Sequence, residues 1–68
     1  MTLIDLIKVT EIATPIYLKH TNGDEIAVGS CMEVFESLSE DELKGYTVDS
    51  VWMSTLLNAI VIEVEGGK

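Results

Sequence analysis

The chain has 68 residues, of which 12 are acidic, four are lysine and none is arginine, so its formal net charge at pH 7 is −8. Such a chain has few cations to neutralise a phosphate backbone and is repelled by anionic membranes, so we expect it to bind neither nucleic acid nor membranes. Because 47% of the residues are hydrophobic, the chain is too apolar to be disordered and fits one domain, 1–68. A core of this size is marginal, which leaves a homodimer open.

The cysteine content and the N-terminal residues bear on the compartment. Cys31 is the single cysteine and cannot form an intramolecular disulfide, and no leader pattern precedes the first predicted helix. The early apolar run over 3–9 contains Asp5 and Lys8 and is too short to cross a bilayer. We therefore expect a cytoplasmic protein.

The first predicted elements are a helix and a β-hairpin. Thr2, followed three residues later by an acid, is typical of a helix N-cap, and apolar residues at helical spacing predict a helix over 3–9. The β-branched residues of the same segment leave a strand as the alternative. Residues 14–20 and 24–29 are predicted as two strands, with Pro15 at the start of the first because it lacks an amide donor.

Two loop lengths are open for this hairpin. A two-residue Asn-Gly loop places Leu18 opposite Ala27 and mixes charged with apolar partners. A three-residue loop over 21–23 pairs Leu18 with Ile26, and likewise Ile16 with Val28 and Lys19 with Glu25. We predict the three-residue loop, with Gly23 at positive φ, because it separates charged from apolar surface.

The middle of the chain contains two capping signatures. Ser30 and Glu33 form one capping box and predict a helix over 31–38, while Ser39 and Glu42 form another and predict a short helical turn over 40–44, continuous with the first or separate. Gly45 is a natural helix stop.

Residues 47–53 and 59–65 are predicted as two more strands, followed by a frayed tail over 66–68. The alternation in the last strand is typical of a sheet that is solvated on one side. Val48 and Val51 have opposite parity, so one face can bury both only with a bulge.

Together these elements predict an α+β fold in the order α-β-β-α-β-β. Two antiparallel hairpins form one antiparallel sheet, which packs against the helix that begins at residue 31. The expected core consists of the inward residues of the strands and of that helix: Ile16, Leu18, Ile26, Val28, Val34, Phe35, Leu38, Ile60, Ile62 and Val64.

No residue pattern indicates a catalytic, cofactor or metal site. The acids at 40–42 lack the alternate spacing of a calcium loop and fit a helix start instead. His20 and Cys31 are too few to hold zinc, and as a nucleophile–base pair they are a weak alternative to structural roles. Without arginine, bidentate recognition of phosphate is missing. We therefore expect no enzyme activity.

The candidates for function are contact surfaces. Tyr17 is predicted to lie opposite the face of Ile16 and Leu18. Trp52 and Met53 are adjacent on a strand and point to opposite faces, so one of the two is expected off the core. Exposed aromatic residues often dominate binding energy, although a second covered face or packing under a helix is the alternative. The segment 33–42 carries five acids that attract a basic partner or simply form a solvated helix face. The candidate partner-binding residues are Tyr17, Glu33, Glu36, Glu40, Asp41, Glu42 and Trp52.

Two function classes follow. The first is a non-catalytic accessory or interaction protein that binds another protein, with a basic partner and binding to a second copy of the chain both left open. The alternative is an acidic inhibitor that mimics nucleic acid and occupies the basic groove of a nuclease or DNA-binding protein. Mimicry requires the acids on one face, namely Glu33, Glu36, Glu40, Asp41, Glu42, Asp49, Glu63 and Glu65.

The order of elements resembles short acidic proteins of phages and integrated mobile elements of Gram-positive bacteria. The similar segments are residues 2–9, the Asn-Gly hairpin, residues 38–43, residues 48–51 and the apolar-acidic ending over 60–65. The resemblance implies a small α+β fold and assigns no activity or functional residue.

Overall fold

The computed structural model describes residues 1–66 as one small α+β domain. Its three helices and four strands follow in the order α1 Leu3–Lys8, β1 Pro15–His20, β2 Glu25–Ser30, α2 Cys31–Ser37, α3 Glu40–Gly45, β3 Tyr46–Ser54 and β4 Ala59–Gly66. The α+β class is therefore confirmed, with one helix more than the predicted order contained.

The four strands form one mixed sheet in the order β2-β1-β4-β3. The outer pairs are antiparallel hairpins, but β1 and β4 run parallel at the centre, so the prediction of an antiparallel sheet is wrong. Parallel strands need a long connection, and between β1 and β4 the chain passes through β2, α2, α3 and β3. Within that connection, α2 and α3 cross from β2 at one edge of the sheet to β3 at the other. β4 carries four buried residues, and the central position gives this apolar strand a hydrogen-bonded neighbour on each side.

The capping signatures give two separate helices. Both capping boxes are present, and Leu38 lies between the helices with extended backbone (φ −110°, ψ 146°), so the chain cannot continue as one helix. Gly45 is the last residue of α3 rather than a stop beyond it, because β3 begins at Tyr46. In α1 the Thr2 hydroxyl accepts from the Asp5 amide at 3.4 Å, as the sequence predicts.

The predicted three-residue hairpin loop is confirmed. The His20 amide donates to the Asp24 carbonyl and the Gly23 amide donates to the His20 carbonyl, both at 2.8 Å. Gly23 has φ +99°. Lys19 lies opposite Glu25, where opposite charges are favourable.

The predicted pairing farther from the loop is wrong because the register shifts by one residue between Leu18 and Lys19. Leu18 lies opposite Ala27, and Ile16 opposite Gly29. The shift leaves Ile26 as an extra residue in β2, and both Ile26 and Ala27 pack against the core. Val28 consequently moves to the other face of the sheet, opposite Tyr17.

The core lies between the helices and one face of the sheet. Its buried members are Leu3, Ile7, Ile16, Leu18, Cys31, Val34, Leu43, Tyr46, Ile62 and Val64. Val28 and Phe35, both expected there, are 56% and 44% exposed. Val34 faces the sheet, and Phe35, the next residue, is turned by about 100° around the helix.

A second bulge lies in β3, between the two valines whose opposite parity would otherwise place them on different faces. The register shifts between Val48 and Ser50, so Val48 pairs with Val64 and Val51 pairs with Ile62 on the same face. Gly66, the last residue of β4, pairs with Tyr46 of β3, so it is not part of a frayed tail. The rest of the predicted tail, 67–68, lies outside the described residues.

Candidate protein-interaction surface

One face of the sheet has no helix against it in the described part of the chain, and we call it the open face. Across it, the strand registers align one residue from each strand: Val28, Tyr17, Val61 and Trp52. We call these four residues the apolar row. A solvated sheet face would carry polar residues at these positions, so the row is the notable feature of this face.

Two aromatic residues flank a buried valine at the centre of the apolar row. Val61 is only 3% exposed although no helix covers it, because Tyr17 and Trp52 are its neighbours on the adjacent strands. Trp52 remains 41% exposed and Val28 56% exposed. The open face therefore presents aromatic surface to solvent while Val61 is shielded.

A second row of residues on the open face lies next to the apolar row, two residues away along β1, β3 and β4, and we call it the polar row. It contains Glu25, Lys19, Glu63 and Ser50. The Lys19 ammonium lies 3.4 Å from a Glu63 carboxylate oxygen and 5.5 Å from the centre of the Trp52 ring. Such partly exposed contacts contribute about 0.2–1 kcal/mol each, so their main effect is to orient Lys19 and Trp52.

The hairpin of β3 and β4 contains a long stretch without charge. Residues 50–62 include no acid and no lysine, although the chain has 12 acidic and four basic residues. Large apolar side chains are exposed here, at 48% for Val51, 65% for Met53, 93% for Leu56 and 48% for Leu57. We call residues 50–58 the charge-free corner. Apolar residues concentrated in this way mark interaction surfaces more often than scattered ones do.

The acidic candidate residues lie on the helices, away from the open face. Glu33 and Glu42 each accept a hydrogen bond at 2.9 Å from the amide of their N-cap serine, so both carboxylates serve the capping boxes. Glu40 pairs with Lys44 at 3.1 Å. The structure therefore brings Tyr17 and Trp52 together in one row and does not bring the acids to them.

The acids proposed for nucleic-acid mimicry are spread over the molecule. Glu63 and Glu65 share the open face with Val61 by strand alternation, whereas Glu33 and Glu42 cap helices that pack on the opposite face. Asp49 lies at the bulge of β3. The eight residues are not gathered on one face.

His20 and Cys31 lie at opposite ends of the β1–β2 hairpin, about 20 Å apart for strands of this length. The His20 Nδ1 faces the Asn22 amide at 3.3 Å, next to the loop. Cys31 is buried with its Sγ 3.9 Å from the Ile7 and Thr10 carbonyl oxygens, and burial raises the pKa of its thiol. Within residues 1–66 no group of three metal-ligating side chains and no pocket occurs.

The sequence interpretation missed two parts of this surface. Val28 is expected in the core, because the bulge at Ile26 has no signal in the sequence. Leu56 and Leu57 lie between the last two predicted strands and are not among the candidate residues, although the run without charge over 50–62 is a signal in the sequence that points to them.

Among the described residues, no helix is long and apolar enough to span a membrane. Searches of protein-family models, curated proteins and solved structures found no match to the chain.

Proposed function

We propose that the chain is a non-catalytic accessory protein that binds another protein through the apolar row of its open face. The observation that carries the proposal is the pair Tyr17 and Trp52, which flank Val61 on a sheet face without a helix. Aromatic residues surrounded by polar side chains are typical of the energetic centre of a protein interface.

The free, buried thiol of Cys31 fits a reducing cytoplasm.

The charges on the open face indicate the chemistry of the partner. Within residues 1–66, the acids Glu25, Glu63 and Glu65 outnumber Lys19, the single cation on the open face, and the whole chain has a net charge of −8. A partner with an apolar centre and a basic rim would complement this surface. Its association rate should fall as salt rises, because complementary charge acts mainly on the encounter of the two proteins.

The alternative function, an acidic mimic of nucleic acid, has less support. It requires carboxylates at phosphate-like spacing on one face, whereas Glu33 and Glu42 bind backbone amides and Glu63 pairs with Lys19. A carboxylate that caps a helix is held in place by its own chain and is a poor substitute for a phosphate.

Affinity capture with two matched variants tests the proposal. The open-face variant Tyr17→Thr/Val28→Thr replaces the two side chains of the apolar row that lie on β1 and β2. Threonine keeps a high strand propensity, and β3 is left unchanged. The helix variant Glu36→Gln/Glu40→Gln/Asp41→Asn removes three acids and leaves both capping boxes intact. Circular dichroism and thermal melting of each variant establish that it is folded before capture from a bacterial lysate.

We expect the parent and the helix variant to retain the same partner, and the open-face variant to lose it. Purified partner would then bind the open-face variant at least about tenfold more weakly, since a hot-spot side chain contributes about 2 kcal/mol or more. Loss of the partner from the helix variant alone would move the contact to the acidic helices. Equal binding by all three proteins would contradict a role for the open face.

A further inference from the structure

We propose that a second copy of this chain pairs with the outer edge of β3, so that two four-stranded sheets become one eight-stranded sheet. β3 is an edge strand, and only its first part has a neighbour on the outer side. There, Thr2 forms an isolated bridge with Thr47, and the Val48 amide donates to the Met1 carbonyl at 2.8 Å. Beyond the bulge, residues 50–54 have no outer neighbour within residues 1–66.

The direction of the backbone groups along this edge follows from one hydrogen bond. The Val64 carbonyl accepts from the Thr21 amide at 3.0 Å, so the backbone groups of Val64 point toward β1 and away from β3. Because direction alternates along a strand, the residues at 62 and 60 also point toward β1. Their partners in β3 are Val51 and Met53, whose amide and carbonyl groups therefore point outward.

These outward groups are self-complementary about a twofold axis at Trp52. Antiparallel pairing centred there sets Val51 of each copy against Met53 of the other, which gives four backbone hydrogen bonds. The two Trp52 side chains then meet as a close, non-hydrogen-bonded pair on the open face, and the apolar rows of the two sheets join. Centring on Val51 would run into the bulge at Asp49, and centring on Met53 would run into the turn at Thr55.

The charge distribution permits a second copy at this edge in particular. A net charge of −8 opposes self-association, but no acid lies within residues 50–62. The domain extends 30 × 24 × 18 Å, and charges are screened over about 8 Å at physiological salt, so charges on the far side contribute little. Edge strands in monomers are usually interrupted by lysine, proline or a bulge, and residues 50–54 contain none of these.

Pairing would also cover apolar surface that the monomer leaves in water. Val51 and Met53 are 48% and 65% exposed and would lie beside each other across the new strand pair. A domain of this length buries little surface by itself, so this additional burial is valuable for stability. The inference uses the edge of the sheet and stands independently of the partner proposed for the open face.

Sedimentation velocity of the parent and two substitutions at one position tests the pairing. Met53→Pro removes an outward amide, and with it two of the four hydrogen bonds, without touching the ladder to β4. Met53→Thr removes the same side chain but keeps the amide. We expect a reversible dimer of the parent, a dissociation constant at least about tenfold higher for Met53→Pro, and a smaller change for Met53→Thr.

Two measurements on the unmodified chain decide the case even where the proline variant does not fold. Mixed labelling should give intermolecular NOEs between Trp52 protons of the two copies, and the Val51 and Met53 amides should exchange more slowly as concentration rises. Raising salt should strengthen the dimer several-fold, since it screens the like charges. A monomer up to millimolar concentration and high salt would overturn the proposal.

The outcomes also separate this inference from the proposed function. Tyr17→Thr/Val28→Thr should leave the dimer intact, while Met53→Pro should retain a partner bound to the open face. If the parent is monomeric and a captured partner alone protects the Val51 and Met53 amides, the occupant of the edge is that partner and the second-copy inference is wrong.

Discussion

The two edge strands of the sheet, β2 and β3, differ in how well they are protected from pairing with a strand of another molecule. β2 has six residues, begins with Glu25, contains a bulge at Ile26 and leads directly into α2, which packs beside it. β3 has nine residues and a bulge at Asp49, but residues 50–54 beyond that bulge have neither a charge nor an outer neighbour in the described chain. One edge is protected against association, and the other is left available for it.

The same contrast extends to the surfaces next to the two edges. Around α2 and α3, acids and serines satisfy helix ends, so polar residues there have structural roles. In the charge-free corner, Val51, Met53 and Leu56 contribute little to the core and are exposed. A small domain gains no stability from exposed apolar side chains, and this supports the proposal that the corner takes part in an interaction.

The largest expected effect compares a core leucine with a leucine of the corner. Leu18 is fully buried and Leu56 is 93% exposed. Leu18→Ala should lower the free energy of unfolding by about 3–5 kcal/mol because it leaves a cavity. Leu56→Ala should change it by less than about 0.5 kcal/mol. Urea denaturation measures the free energy of unfolding of both variants. If Leu18→Ala is unfolded, Ile62→Val takes its place, with an expected loss of about 0.5–1.5 kcal/mol. Equal losses at Leu18 and Leu56 would place the corner in the core.

A smaller effect compares Gly23, in the loop before β2, with Gly29, near the end of β2. Gly29 has φ +152°, and a Cβ there would lie 2.8 Å from the Glu33 Oε1 of the capping box, whereas Gly23 has φ +99° and open space around it. We expect Gly29→Ala to cost about 2–3 kcal/mol through strain and a disturbed cap, and Gly23→Ala about 1–2 kcal/mol through strain alone. Thermal melts rank the two, and a larger loss at Gly23 would contradict this geometry.

The acids of α2 and α3 separate into those that cap and those that do not. Glu33→Ala and Glu42→Ala should each cost about 0.5–1 kcal/mol, since each removes half of a capping box. Glu36→Gln, in the last turn of α2, should be neutral or slightly stabilising at low salt, because it reduces repulsion between acids and removes a negative charge from a helix C-terminus. Denaturation at low and high salt measures the difference, and a loss in the Glu36→Gln variant would reveal a role for this acid that the structure does not show.

The smallest effect concerns pH and Cys31. Burial raises the pKa of this thiol above its ordinary value of 9.0. The stability that the protonated thiol contributes is therefore complete below pH 9.0 and is lost as the pH rises through the higher folded-state pKa. Stability should fall more steeply above that pH in the parent than in Cys31→Ala. Parallel curves for the two proteins would show that Cys31 does not titrate with folding.

Local signals in the sequence predicted local structure correctly. The cap residues Thr2, Ser30 and Ser39 begin helices where expected, and the loop before Asp24 has the predicted length. These features depend on contacts within three or four residues, which the sequence displays directly. The opposite parity of Val48 and Val51 was likewise visible, because the parity of a strand is a local property, but it did not by itself require the bulge, since Val51 is 48% exposed.

Pairings between distant segments could not be predicted in the same way. The bulge at Ile26 arises because both Ile26 and Ala27 find space beneath the helices, and it turns Val28 outward. Tyr46 joins the core because β3 begins directly at the end of α3.

What the sequence determined by itself was the class of domain, its strong negative charge, its helix starts and the uncharged run over 50–62. Only the tertiary structure decided that β4 lies beside β1, and with it that Tyr17 and Trp52 flank Val61. The physical reason is that strand order is set by how the whole apolar surface is buried at once, and no local pattern encodes that sum.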